Sequence, residues 1–256
     1  MDTKREMSSK GSLMNILIFS GTGEGRDLSK ALARAGHAVT VCVLTEYGKE
    51  GQGEYEGVTV LAGKKPPEEI VKLLSGMDVC IDATHPFATH IRESIRSSCE
   101  ETGVRRIRLV REESDLDDLD GVVLVDSAED AAEYLSDKEG RILLTTGAKD
   151  LPIYSQVGPE RLYPRVLPFA SSLDACESAG IPRKNIIAMQ GPFIKAINVA
   201  LMEQFGIKYM VTKDSGKEGG FDDKMEAARD AGAVLIVIRR PDDDGVSAEA
   251  ILQELT

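Results

Sequence analysis

The stretch from Asn15 to Arg26, NILIFSGTGEGR, limits what this chain can fold into more than any other. An apolar run, Ile16 to Phe19, ends in Ser20-Gly21-Thr22-Gly23-Glu24-Gly25, and Leu28, Ala31, Leu32 and Ala35 then recur at helical spacing. A strand, a glycine-rich turn and a helix in that order let a backbone approach a phosphate. Glycine removes the Cβ that would block approach, and a helix N-terminus offers unpaired N–H groups at the positive end of its dipole. The stretch predicts a nucleotide-binding βα unit, with Gly21, Thr22, Gly23, Glu24, Gly25 and Arg26 around the phosphates. The match to Gly-x-Gly-x-x-Gly is imperfect, because a glycine comes one position early and Arg26 stands where the third is expected. An ordinary tight βα turn is the competing reading. Glu24 could cap the helix, and Arg26 could meet a phosphate or lie in solvent.

The same alternation continues along the chain. Strands are expected at 14–19, 38–44, 58–61, 78–82 and 105–110, with helices at 24–35, from Pro66-Pro67 to about 74, and from the 83–86 turn to about 102. A polar, glycine-rich stretch at 48–57 reads as a loop. The charged run 111–120 (REESDLDDLD) reads as a solvated boundary. Beyond it, strands are expected at 121–125, 141–145, 161–167, 185–189, 208–212 and 233–238. Ser127 reads as an N-cap with Asp130 three residues on. Parallel βαβ units follow from such spacing. The expected fold is α/β: two Rossmann-like domains with parallel sheets flanked by helices and an active-site cleft between them. Residues 1–12 would be a disordered tail, 13–115 a dinucleotide-binding domain, and 116–256 a substrate domain.

With 256 residues the chain has room for two domains of about 100 to 150 each. A formal charge of −12 argues against a non-specific nucleic-acid or anionic-membrane surface. The N-terminus has no apolar signal-like core, and no apolar run is long enough to span a bilayer. Cys42, Cys80, Cys99 and Cys176 show no CxxC spacing and read as core residues in a reducing compartment. His85 and His90 lie five apart, which is not a metal-binding spacing on a helix. A cytoplasmic protein without a metal site is expected; the oligomeric state is left open.

In open parallel sheets, ligands bind outside the carboxyl ends of the strands. Those ends carry Thr45-Glu46, Thr84-His85-Pro86-Phe87, Thr146-Gly147-Ala148-Lys149, Gln190-Gly191-Pro192 and Lys213-Asp214-Ser215-Gly216. Glu46, about 20 residues past the glycine turn, is placed to accept from the adenosine ribose and would disfavour a 2′-phosphate; equally, Thr45 could point inward and Glu46 into water. Pro86 fits the first turn of a helix, with Thr84 or His85 as its cap. His85 can also face the cleft for hydrogen bonding or proton transfer. Lys149 and Lys213, each after a strand, are candidates for binding carboxylates.

On ILIFSGTGEGR, LTEYG at 44–48, DATHPFA at 82–88, LLTTGAKDL at 143–151, AMQGPF at 188–193 and TKDSGKEGGFDDKMEAA at 212–228, the sequence resembles the precorrin-6A reductase family of cobalamin biosynthesis. The resemblance implies hydride transfer from NADH or NADPH to a double bond of the tetrapyrrole precorrin-6A, or of its cobalt form, giving the 6B level. It implies that Gly21, Thr22, Gly23 and Glu24 hold the pyrophosphate and Thr45 the ribose side. Thr84, His85, Pro86 and Phe87 would border nicotinamide or substrate. Lys149, Gln190, Lys213 and Ser215 would face the carboxylate arms. The proton donor stays open, with His85 and Lys213 as candidates. Another nucleotide-dependent enzyme, a transferase or epimerase, and a non-catalytic nucleotide sensor are the alternatives.

Overall fold

The computed structural model describes residues 12–110, 121–216, 219–241 and 243–256. The expected N-terminal tail, the 111–120 boundary, and Lys217 and Glu218 of the TKDSGKEGGF motif lie outside these, except for Ser12 of the tail. The chain divides into two compact units, Met1–Glu112 with Asp242–Thr256, and Glu113–Pro241.

The first unit runs β1 (Asn15–Ser20), α1 (Gly23–Arg34), β2 (Ala38–Val43), α2 (Glu46–Gln52), β3 (Val58–Ala62), α3 (Pro67–Leu74), β4 (Val79–Ala83), α4 (Thr89–Thr102) and β5 (Arg105–Arg108). The strands form one parallel sheet in the order β3-β2-β1-β4-β5. β1 is apolar without interruption because both of its faces are covered. Ile16 and Ile18 pack with Leu28 and Leu32 of α1, whereas Leu17 and Phe19 pack with Ile70 and Leu74 of α3 and Ile95 and Cys99 of α4. All four cysteines are buried and free.

Two local expectations are corrected here. The glycine-rich stretch is helical at its start, because Thr45 caps α2 by accepting from the Gly48 amide. The helix after β4 begins at Thr89, with Ala88 at its N-cap, so Pro86 lies ahead of it. Neither Thr84 nor His85 is the cap: a turn intervenes, closed by Ala88 N–H donating to the His85 carbonyl at 2.8 Å.

The second unit runs β6 (Val122–Val125), α5 (Ala128–Ser136), β7 (Arg141–Leu144), α6 (Leu151–Tyr154), β8 (Leu162–Val166), α7 (Ala170–Ser178), β9 (Ile187–Ala188), α8 (Lys195–Phe205), β10 (Ile207–Lys213), α9 (Phe221–Asp230) and β11 (Val234–Ile238). Its parallel strands take the order β6-β11-β10-β7-β8-β9. Ser127 accepts from the Asp130 amide, the expected cap of α5. The strand expected at 185–189 shrinks to two residues, since Arg183–Asn185 form a 3-10 turn.

After β11 the chain returns to the first unit. Val246 exchanges backbone hydrogen bonds with Arg108 and Val110, extending the β5 edge. α10 (Ala248–Leu255) then buries Ile251 and Leu255 in the core that holds Ile16 and Ile18. His37 accepts from Met14 N–H at Nδ1 and meets the Leu255 carbonyl through Nε2 at 2.8 Å. The last segment, expected in the second domain, thus packs as part of the first: its helix carries the apolar stripe that covers β1.

Candidate functional site

In each sheet the strand order reverses at one place, and there the loops from adjacent strands diverge to leave a crevice. In the first unit this is between β1 and β4, so the Gly21 turn and residues 84–88 flank it. Thr22 caps α1 by accepting from the Gly25 amide at 3.2 Å, and its hydroxyl donates to the Ala83 carbonyl at 3.4 Å. The two loops are thereby tied together.

The glycines divide the work. A Cβ on Gly25 would fall 2.7 Å from Ser20 Oγ and 2.9 Å from Ala83 Cβ, so the helix can approach the sheet only with glycine there. This is the packing role of the fingerprint's third glycine, performed one position earlier than the pattern expects. A Cβ on Gly21 would meet nothing nearer than the His85 backbone nitrogen at 4.0 Å, so this turn keeps an open face toward the crevice. Glycine, a capped helix start and that open face fit a dinucleotide pyrophosphate.

The other expected cofactor residues are placed as follows. Glu24 is in the first turn of α1, and the half-exposed Arg26 reaches Asp27 and the Gly51 carbonyl. At the tip of β2, Thr45 is committed to its cap, and Glu46 is exposed in the first turn of α2. The His85 and Phe87 rings lie 5.7 Å apart, and His85 Nδ1 accepts from the Phe87 amide.

Under this loop is an ion network that sequence reasoning missed. Asp82 is fully buried at the end of β4 and accepts from Arg106, from Arg108 and from the Thr84 hydroxyl at 2.7 Å. Arg108 also donates to the Thr84 carbonyl at 2.9 Å and, through Nε, to Asp243 at 2.7 Å. The other Asp243 oxygen takes Arg92, which in turn donates to the Pro86 carbonyl at 3.0 Å.

In the second unit the reversal lies between β7 and β10. Lys213 ends β10 and pairs with Asp150 at 2.7 Å, so part of its charge is already matched. Ser215 is buried, its hydroxyl hard against Gly219. Lys149 and Gln190 are exposed.

Beside these loops opens a pocket of about 430 Å³ whose wall includes Arg165, Phe193, Asp223 and Lys224. Arg165 comes from the carboxyl end of β8 and Lys224 from α9, and both are less than a tenth exposed. The Arg165 guanidinium lies 3.8 Å from the centre of the Phe193 ring and donates to Asn198 at 2.6 Å. Lys224 donates to the Gly219 carbonyl at 2.8 Å. Neither cation pairs with a carboxylate among the described residues; Asp223, on the same wall, accepts from the Lys195 amide instead. Burial pushes Arg165 down to about 10. Burial, and then the positive charge of Arg165, push Lys224 down to about 8. Leu167, Met189 and Ile194 complete an apolar, exposed rim. Arg165 could have been noticed as the one charge in the strand LYPRV; Lys224 sits among five other charged residues in the helix FDDKMEAARD, where nothing in the sequence marks it out.

Among the described residues no cluster of His, Cys, Asp or Glu could hold a metal, and no helix is long and apolar enough to cross a membrane.

Two parallel sheets, each with a crevice at its reversal, one glycine-lined and one beside a cationic pocket, define an α/β enzyme of the Rossmann-like class. Comparison with known proteins narrows the class. The family described as Precorrin-6x reductase CbiJ/CobK matches residues 15–256. A cobalt-precorrin-6A reductase from Priestia megaterium is 37% identical over 88% of this chain and 90% of its own. The protein of the same name from Methanothermobacter thermautotrophicus is 33% identical over 90% of this chain and 77% of its own. A solved structure titled CobK precorrin-6A reductase shares the fold at a TM-score of 0.75, with 23% identity over 95% of this chain and 96% of that one. The chain belongs to the precorrin-6x reductase family.

Proposed function

We propose that this chain reduces a double bond of cobalt-precorrin-6A in cobalamin biosynthesis, taking hydride from a reduced nicotinamide dinucleotide bound at the Gly21 turn. The observation that carries the reading is the Arg165–Lys224 pocket. Two buried cations without a carboxylate partner among the described residues are costly unless a further negative charge, such as a ligand's, is supplied. The substrate, an apolar macrocycle bearing carboxylate arms, matches both the apolar rim and the cations. Lys149, Lys213 and Gln190 extend this surface at neighbouring strand tips, with Ser215 buried behind them.

The nicotinamide supplies the two electrons as hydride. The protein binds the dinucleotide at the open face of Gly21, shapes the crevice with His85 and Phe87, and holds the acidic arms, so that its contribution is orientation. Cobalt is proposed over the metal-free ring because the relatives with the cobalt name run from 31% to 37% identity and those named for the metal-free compound stand at 30% and 31%.

The test is turnover with NADH and with NADPH on cobalt-loaded and metal-free substrate. Oxidation of the nicotinamide coupled to loss of the cobalt substrate is expected. No binding of either dinucleotide at millimolar concentration would remove the reading, and faster turnover of the metal-free ring would reverse the choice of substrate.

A further inference from the structure

Two carbonyls of the turn after β4, those of Thr84 and Pro86, accept from arginine side chains. Each is held by a guanidinium, Arg108 at 2.9 Å and Arg92 at 3.0 Å. These arginines come from different elements, β5 and α4. A single carboxylate joins them: the two oxygens of Asp243 take Arg108 Nε at 2.7 Å and Arg92 Nη2 at 2.5 Å. The three side chains are only 2%, 16% and 10% exposed for Arg108, Arg92 and Asp243, so water screens them little.

The backbone around Asp243 is fixed by other means. A Cβ on Gly245 would lie 2.5 Å from Val110 Cγ1 and 2.6 Å from the Arg108 carbonyl, so the segment lies flat on the β5 edge. Val246 then bonds to Arg108 and Val110. A rigid strap thus presents one carboxylate to two arginines that otherwise repel each other. Without that charge Arg92 would lose its carboxylate and the Pro86 carbonyl its anchor, while Arg108, still on Asp82, would keep the Thr84 carbonyl but lose its link to Arg92.

We infer that Asp243 is a positioning residue for the reduction: through Arg92 and Arg108 it sets the turn carrying His85 and Phe87, and with it the affinity and orientation of the nicotinamide ring. The inference rests on the reading that the first unit binds the dinucleotide. Asp243 touches neither ligand nor reacting atom; it acts by fixing the backbone that does. Displacement of a positioning group by about 1 Å costs up to on the order of a hundredfold in rate.

The experiment compares Asp243→Asn and Asp243→Glu with Ile251→Ala in the full chain. Ile251 is buried in α10 of the same segment, in the core beneath the sheet, so its truncation loosens the unit without touching the turn. Two readouts are taken. Imidazole NMR signals of His85 report the turn directly, with or without cofactor, and those of His90 serve as control. Nicotinamide affinity and single-turnover hydride transfer, both per folded molecule, report the consequence. Asp243→Asn should move the His85 signals, weaken nicotinamide binding about tenfold, and leave tetrapyrrole affinity unchanged. Asp243→Glu should recover part of the affinity, and Ile251→Ala should lower the melting temperature without either effect. Unmoved His85 signals and wild-type nicotinamide affinity in Asp243→Asn would overturn the inference, as would an equal loss of affinity in Ile251→Ala. If the wild type binds neither NADH nor NADPH, the cofactor reading fails instead, and the clause on nicotinamide falls with it while the His85 signals still decide whether Asp243 sets the turn.

Discussion

In the first unit Arg106 and Arg108 lie against Asp82, and Arg92 against Asp243; in the second, Arg165 and Lys224 lie in a pocket with no carboxylate partner among the described residues. Both groups are cations largely withdrawn from water beside a parallel sheet. The difference is what balances them. The first set is charge-balanced by carboxylates of its own chain and anchors a loop. The second is held by neutral acceptors and an aromatic face, which fix position without cancelling charge. A buried cation left in that condition is a place where a ligand completes the structure.

Removing one member from each set should break the symmetry. The largest effect on stability is expected for Arg108→Met, which strips the fully buried Asp82 of one partner and Asp243 of another. A loss of about 3 kcal/mol, read from the urea midpoint, follows from leaving buried charges uncompensated. Arg165→Met should do the reverse: stability within about 1 kcal/mol of wild type, but tetrapyrrole affinity reduced about thirtyfold in equilibrium titration. Equal stability losses in the two variants would end the contrast.

The smallest effect is one of pH. The Lys224 ammonium titrates near 8 in the free protein instead of its ordinary 10.5, because burial and Arg165 disfavour its charge. Its folded-state value is lowered, so the unfolded chain holds the proton between these limits and the folded chain does not. The stability cost of that charge is therefore complete below about 8 and is relieved as pH rises toward 10.5. Carboxylate affinity runs the other way and should fall several-fold as pH rises through about 8. Lys224→Arg, still charged there, should flatten the fall when substrate quenching is titrated between about pH 7 and 9.5. A profile that stays inclined in the variant would assign the limb to another group.

Which of these features could be read before the structure follows from what each depends on. The strands were legible because a parallel strand covered on both faces is apolar throughout, as in Ile16-Leu17-Ile18-Phe19. The Ser127 cap was legible because it depends only on residues three apart. By contrast, α2 has two glycines in EYGKEGQ and forms because Thr45 caps it, a local bond outweighing poor propensity. Asp243 sits in the run PDDDG, which reads as a solvated turn; its burial depends on arginines 135 and 151 positions away. Arg165 and Lys224 acquire meaning only once a strand and a helix far apart in sequence bring them to one cavity. Separations of that size carry no periodicity, so no spacing rule could have joined them.

The return of the chain after β11 has a consequence for how the molecule comes to exist. The half made first on the ribosome cannot finish its interior when its own five strands have emerged, because Ile251 and Leu255 supply part of it and the Leu255 carbonyl receives His37. Synthesis must pass Leu255 before that half can close. A gene cut after the charged 111–120 run would therefore encode a sheet whose α1-covered face lacks Ile251 and Leu255, and would not yield a portable domain.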